Sequence, residues 1–189
     1  MKRILFLQSP LGTFFQQVAR YFHAQNHKTY KINLNGGDKQ YAWANQVDDY
    51  TGSAEQWSSY LTDYINKYEI NTIVIYGDCR FYHKEAAKIA KKLGIDFWVF
   101  EEGYLRAGFV TLEQNGCNAN SLLDLSVEAI TTANHQPIVS DQQVGRTFLK
   151  RSISASYYYW RIRQEAKTFP HYQHHRPWVW WQEAGFWFN

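Results

Sequence analysis

Four short apolar runs punctuate the first hundred residues, and each ends at glycine, asparagine, aspartate, glutamine or glutamate. They are Ile4 to Leu7, Thr29 to Leu34, Thr72 to Tyr76 and Ile95 to Phe100. The third is β-branched, unbroken and cut by Gly77-Asp78, as expected of a strand buried on both faces. Between the runs the apolar spacing changes to helical. Phe14, Phe15, Val18, Ala19 and Phe22 share one face; Trp57, Leu61, Tyr64 and Ile65 share another, in a helix capped by Ser53 and running through Lys67. Within Glu85 to Leu93, Ala86, Ile89, Ala90 and Leu93 point inward and lysines outward. Strand alternating with helix predicts an α/β fold, a Rossmann-like doubly wound parallel sheet. Right-handed crossovers then put the loops after all four strands on one edge, where ligands bind in such sheets.

The pattern is weaker elsewhere. From Asp38 to Gly52 the chain is polar and predicts no element. Beyond Gly103, Val110 to Leu112 reads as a short strand and Asn115-Gly116 as a turn. Ser121 to Ala133 is weakly periodic. Asp141 to Lys167 reads as a helix, with Val144, Phe148, Ile153, Tyr157, Trp160 and Ile162 as buried positions. The chain divides into a Rossmann-like α/β domain over 1–140 and a helical extension over 141–189.

With 45% hydrophobic and 20% charged residues the composition is globular, and a net charge of +3 gives no reason to expect a nucleic-acid partner. There are eight Trp and fourteen Tyr, with five of the Trp at or beyond residue 160, and such surplus rings can fill a core, stack on sugars or sit at a membrane interface. Two cysteines, Cys79 and Cys117, make no disulfide framework and fit a reducing compartment. Four apolar residues after Lys2-Arg3 are too few for a signal peptide, and no run reaches the roughly 20 residues of a membrane span. The expected location is cytoplasmic.

The strand-end loops carry the chemistry. In Gln8-Ser-Pro-Leu-Gly-Thr13, Gly12 stands before a helix and would let a phosphate or backbone approach free N–H groups, though it equally suits a tight turn. Asn35-Gly36-Gly37-Asp38 offers two glycines that permit positive φ and two side chains able to bond sugar hydroxyls, or a plain turn. In Gly77-Asp-Cys-Arg-Phe-Tyr-His83, Asp78 can pair with Arg80. Arg80 and His83 can hold a phosphate or carboxylate, and Cys79 reads as a small buried thiol. The fourth loop, Glu101-Glu-Gly-Tyr-Leu-Arg106, puts two carboxylates at a strand end. One can serve as a general acid or base, or Glu101 can pair with Arg106 or Arg80 while Glu102 faces water. His171, His174 and His175 lack a fourth ligand and a cysteine, so no metal site is expected.

Taken in order, these loops resemble the KpsS-type capsular polysaccharide proteins, a family of β-Kdo glycosyltransferases. The matching segments are Leu7 to Phe15, Lys31 to Asp38, Tyr76 to His83, Phe100 to Arg106 and Phe169 to Pro177. The resemblance implies the N-terminal half of a GT-B-like transferase of Gram-negative bacteria. It would move 3-deoxy-D-manno-octulosonic acid (Kdo) from CMP-Kdo, with no further cofactor, to a phosphatidylglycerol-type lipid acceptor, working peripherally at the inner membrane face. It implies an acid/base role for Glu101. Gly12, Asn35, Gly36, Gly37, Asp38, Asp78, Arg80, His83, Glu102 and Arg106 would line the cleft. The family is about twice as long, so a second domain would supply most of the CMP site and a nucleophilic carboxylate, with Trp178 to Asn189 starting the crossover toward it. Other capsule biosynthesis or export proteins are expected partners. A noncatalytic scaffold module in a capsule-export assembly is the alternative, and a flavodoxin-like nucleotide binder a third.

Overall fold

A computed structural model describes residues 1–103, 109–124, 126–132 and 148–174, apart from the side chains of Ile130, Phe148, Lys150 and Arg151. Six strands make one sheet in the order β3-β2-β1-β4-β5-β6. They are β1 (Arg3–Phe6), β2 (Lys28–Asn33), β3 (Gln46–Asp49), β4 (Thr72–Tyr76), β5 (Asp96–Glu102) and β6 (Val110–Gln114). The first five in this spatial order are parallel, and β6 is antiparallel to β5, with Phe100 opposite Leu112. This is the doubly wound α/β arrangement expected. The strand order reverses between β1 and β4, which makes a crevice between their following loops. Strand β3 is the element the hydropathy pattern misses. Its sequence, Gln46-Val-Asp-Asp49, has one apolar residue because an edge strand buries little.

Helices cover both faces. Helices α3 (Trp57–Tyr68) and α4 (Phe81–Leu93) pack on the face carrying Leu5, Ile32, Ile73, Ile75 and Val99. Helix α1 (Phe14–Ala24) packs through Phe15 and Ala19 on Ile4, Phe6 and Val74 of the other. Register neighbours in parallel strands share a face, so one alternation of side chains feeds each core.

Several helix boundaries differ from expectation. Ser53 begins a turn, its carbonyl accepting from Gln56 N, and α3 starts only at Trp57. Helix α4 starts a turn before Glu85, because Tyr82 extends the Ala86–Ile89–Ala90 stripe upstream; Leu93, expected inside, is 39% exposed at the last turn. Asn35-Gly36-Gly37-Asp38 is not a free turn but the start of a short helix, α2 (Gly36–Gln40). Asn35 Oδ1 accepts from Asp38 N at 3.0 Å and Asp38 Oδ2 accepts from Leu34 N at 3.1 Å, a reciprocal cap like a capping box displaced by one residue. Neither glycine takes a positive φ.

Helix α5 (Val127–Thr132) is short and largely exposed. Helix α6 (Phe148–Gln164) returns to the sheet edge and packs on α2. Its buried ring is Tyr158, not the predicted Tyr157 or Trp160, which are exposed along with Ile153. The inward face was misassigned because aromatics occupy both faces of this helix, and a tyrosine held by polar partners wins the interior place. Val144, Arg106, His175 and the segment 178–189 lie outside the described residues.

Candidate functional site

At the carboxyl edge of the sheet two polar clusters form on either side of the β1/β4 crevice. The first joins the loops after β1 and β2 to α6. The Gln8 side-chain amide donates to Tyr158 OH at 3.1 Å and to Tyr172 OH at 2.8 Å. Asn35 Nδ2 donates to Tyr158 OH at 3.2 Å, and that hydroxyl donates to Asp38 Oδ1 at 3.1 Å. One donor and two acceptor places on the tyrosine are thus all used.

Glycines make this docking possible. A Cβ on Gly37 would run into the Tyr158 ring, and one on Gly36 into the Arg161 carbonyl and the Glu165 side chain. Asn35, Gly36, Gly37 and Asp38 are accordingly buried beneath α6, so the loop that reads as either sugar-bonding or a plain turn is instead a helix seat. The small residues serve a close approach of backbone to helix, not of backbone to ligand.

Burial pushes the Asp38 carboxyl upward, opposed by Lys31, the Leu34 N–H, Arg80 and Tyr158. Lys31 stands beside Phe6 in the register, 2% exposed, and its ammonium has no hydrogen-bond partner among the described residues. Burial pulls its pKa down and the Asp38 charge resists. Burial and then the Asp38 charge hold the Tyr158 hydroxyl well above its usual range, so it remains a donor.

The second cluster lies between the β4 and β5 loops. Gly77 takes φ +71°, a conformation that favours glycine, and Glu101 Oε2 would stand 3.5 Å from a Cβ placed there. Glu101 is half-buried, with both oxygens engaged: Oε1 by the Glu102 N–H at 3.0 Å and Oε2 by Asn118 Nδ2 at 3.3 Å. Glu102 itself is exposed. Asp78 does not turn to Arg80. Its Oδ2 accepts from Cys117 N at 3.1 Å and from Asn120 Nδ2 at 3.0 Å, while Oδ1 takes the Cys79 thiol. Burial alone would raise the Asp78 pKa, but those hydrogen bonds outweigh it and hold the carboxyl below its usual range.

His83 is also turned inward. It sits in the first turn of α4, fully buried, with Nδ1 2.6 Å from the Gly77 carbonyl. Because a carbonyl only accepts, Nδ1 carries the hydrogen. The residue fixes the backbone under Glu101 and does not line the crevice. Neither thiol suits nucleophilic work. The Asp78 hydrogen bond and then burial push Cys79 up, and Cys117, completely buried, is raised to about 12 by burial first and then by Asp78, Glu101 and Glu113. The sequence reading made Cys79 the buried thiol, whereas it is exposed.

Arg80 precedes α4 in extended backbone and is partly exposed. It makes no ion pair among the described residues, and its charge is felt at Asp38 and Tyr172, so it faces the first cluster across the crevice. Gly12 takes φ +96° in the β1–α1 loop with open space where a Cβ would be, so it remains accessible. The segment after α6 closes the far side. Phe169 is buried, Tyr172 stacks on Tyr82 with centroids 6.0 Å apart, and Gln173 N donates to Tyr82 OH at 3.1 Å. His171 is exposed while His174 packs against Tyr159 and Tyr172.

Sequence reasoning missed Gln8, Lys31, Tyr158, Tyr172 and Asn118. A lysine interrupting the apolar β2 run was a visible signal for Lys31. The others depend on contacts far along the chain and left no local trace.

Residues 71–187 match the family described as capsule polysaccharide biosynthesis protein. Across its length the chain is similar to the capsule polysaccharide export protein KpsS of Escherichia coli, with 36% identity over 189 residues, 98% of this chain and 48% of that protein. It is also similar to the capsule polysaccharide modification protein LipB of Neisseria meningitidis serogroup A, at 32% over 181 residues, 93% of this chain and 43% of the relative. The serogroup B protein gives the same figures. The chain therefore spans about half the length of these relatives. Among solved structures, UDP-GlcNAc 2-epimerase from Methanocaldococcus jannaschii overlaps with a TM-score of 0.41 and 19% identity, covering 51% of this chain and 30% of that one.

Proposed function

The chain belongs to the capsule polysaccharide biosynthesis family, and from that premise we propose that the carboxyl edge of its sheet is one wall of a glycosyl-transfer site. The observation that carries the reading is Glu101: a carboxylate at the end of β5, above the bare backbone of Gly77, with each oxygen held by one donor and lone pairs left over. A carboxylate fixed in this way is prepared to move a proton.

In the proposed reaction CMP-Kdo is the donor and a phosphatidylglycerol-type lipid the acceptor. The anomeric carbon bonds to the nucleophilic carboxylate expected from the relatives' further sequence as its bond to CMP breaks, and CMP leaves with the electron pair as a phosphate monoester. The acceptor oxygen then displaces that carboxylate while Glu101 takes the proton of the acceptor hydroxyl. Arg80, free of ion pairs among the described residues, meets the Kdo carboxylate or a phosphate, for which its planar fork is suited. The open backbone at Gly12 admits an anionic group beside it. An apolar groove of about 330 Å³ runs along the α1-side face from Lys2, Thr72 and Asp96 at the amino ends of the strands to Trp98, Phe100 and Leu112, and suits a lipid-handling protein. The work is placed peripherally at the inner face of the inner membrane, and among the described residues no helix is long and apolar enough to cross a membrane. The rest of the donor site is assigned to sequence of the kind the relatives carry beyond this half.

The test is Kdo transfer from CMP-Kdo to a lipid analogue, by this protein and by a form of the relatives' length. Glu101→Gln is expected to slow transfer by about 10²–10⁴-fold; full turnover by that variant overturns the assignment. One observation favours the noncatalytic scaffold instead. Leu149, Ile153, Tyr157 and Trp160 form an exposed apolar stripe at helical spacing along α6. Lipid or protein binding without transfer in either form supports that reading.

A further inference from the structure

We propose that Asn118 is the positioning residue for Glu101, a role that rests on the transfer reading above. Strand β6 carries the chain away from the carboxyl edge, from Val110 opposite Glu102 to Gln114 opposite Trp98. Cys117 then buries itself against the α4-side core, and a 3-10 turn over Asn118–Asn120 brings the chain back to the β4 and β5 loops. Asp78 clamps this turn at both ends, through Cys117 N and Asn120 Nδ2, on the same carboxylate oxygen. Of the two residues between the clamped points, Asn118 takes φ +53°, left-handed backbone that asparagine tolerates better than most side chains. Held there, its amide reaches Glu101 Oε2 at 3.3 Å and the Cys117 sulfur at 3.7 Å.

The clamp gives Asp78 a purpose that a ligand contact does not. Its hydrogen bonds to the turn transmit the position of β4 to the side chain standing over Gly77. Glu101 has one oxygen fixed by its own neighbour's N–H, a bond that follows β5 wherever it goes. The other is fixed by Asn118, a bond that ties the carboxylate to a separate element. Two bonds from two elements define the plane of the carboxylate, and with it the direction in which its remaining lone pairs face an acceptor hydroxyl. The role is orientation, because Asn118 acts through Glu101.

Asn118→Gly removes the amide and keeps the backbone, since glycine readily accepts φ +53°. In the isotopically labelled 189-residue protein, the ¹³C side-chain carboxyl resonance of Glu101, assigned by its disappearance in Glu101→Gln, is expected to shift in Asn118→Gly while the thermal midpoint stays close to wild type. In the transferring form, kcat is expected to fall about 10–100-fold with KM little changed, the scale of a misplaced catalytic group. Adding Asn118→Gly to Glu101→Gln is expected to cost nothing further, because one residue acts through the other. Asn118→Asp keeps the left-handed tolerance but opposes two carboxylates, and is expected to lose at least as much as glycine. An unmoved Glu101 resonance, an additive double variant or wild-type turnover in Asn118→Asp overturns the proposal. Full turnover by Glu101→Gln instead removes the acid/base reading, and the resonance still decides whether Asn118 orients the carboxylate.

Discussion

The Tyr158 hydroxyl donates to Asp38 Oδ1 at 3.1 Å, joining two residues 120 positions apart in the chain. That bond, with the Gln8 and Asn35 amides on the same oxygen, fastens α6 to the carboxyl edge of the sheet. Tyr158→Phe keeps the ring and removes the hydroxyl, stranding a buried carboxylate oxygen and two amide donors. A loss of about 1.5–3 kcal/mol in urea unfolding is expected, the range for hydrogen bonds to charged groups. Hydrogen exchange should show α6 amides losing protection before those of β1 and β4.

Gly37→Ala tests the same seat from the other side. In an isolated helix alanine is favoured over glycine by about 1 kcal/mol. Here the added Cβ meets the Tyr158 ring, so the sign reverses. A net destabilisation of about 1–3 kcal/mol is expected from the forced displacement, read by urea denaturation. A stabilised variant would show that α6 does not need the close approach.

Asp78 gives a pH dependence with a defined sign. Its folded pKa lies below the unfolded value of about 3.9, so the stability it contributes is present above that value and is lost as pH falls through the depressed folded one. Asp78→Asn should be less stable than wild type at pH 7, with the gap narrowing below about pH 4. Paired urea titrations at pH 7 and across the acid range measure this. A gap that stays constant with pH would mean the Cys117 and Asn120 contacts do not depend on the charge.

Arg80 should behave oppositely to Asp78. With no ion pair among the described residues, Arg80→Lys should leave the urea midpoint unchanged while weakening CMP-Kdo binding about tenfold, because the ammonium keeps the charge but loses the bidentate fork. Isothermal titration of CMP-Kdo into a form of the relatives' length checks it.

The architecture was largely legible in the chain because four buried parallel strands announce themselves as short, mostly apolar runs. Glu101 stood out as a candidate for the same reason: a carboxylate is conspicuous where such a run stops. What stayed hidden was which polar residues face inward. Asn35, Gly36, Gly37 and Asp38 look like an exposed turn until α6 arrives to cover them. His83 looks like a ligand for an anion until its ring is seen holding the Gly77 carbonyl. Asn118 sits in an uninformative stretch, and its contact with Glu101 is made from a left-handed backbone that a one-dimensional pattern does not encode.

The joining of Asp38 to Tyr158 also sets an order of events during synthesis. Every strand from β1 to β5 can emerge and pair before α6 leaves the ribosome, since all five precede residue 103. Until Tyr158 arrives, the Asp38 carboxylate and the Gln8 and Asn35 amides lack the hydroxyl that satisfies them in the finished protein. The nascent sheet thus waits with its carboxyl edge wet, and that edge is the last part of the described structure to dry.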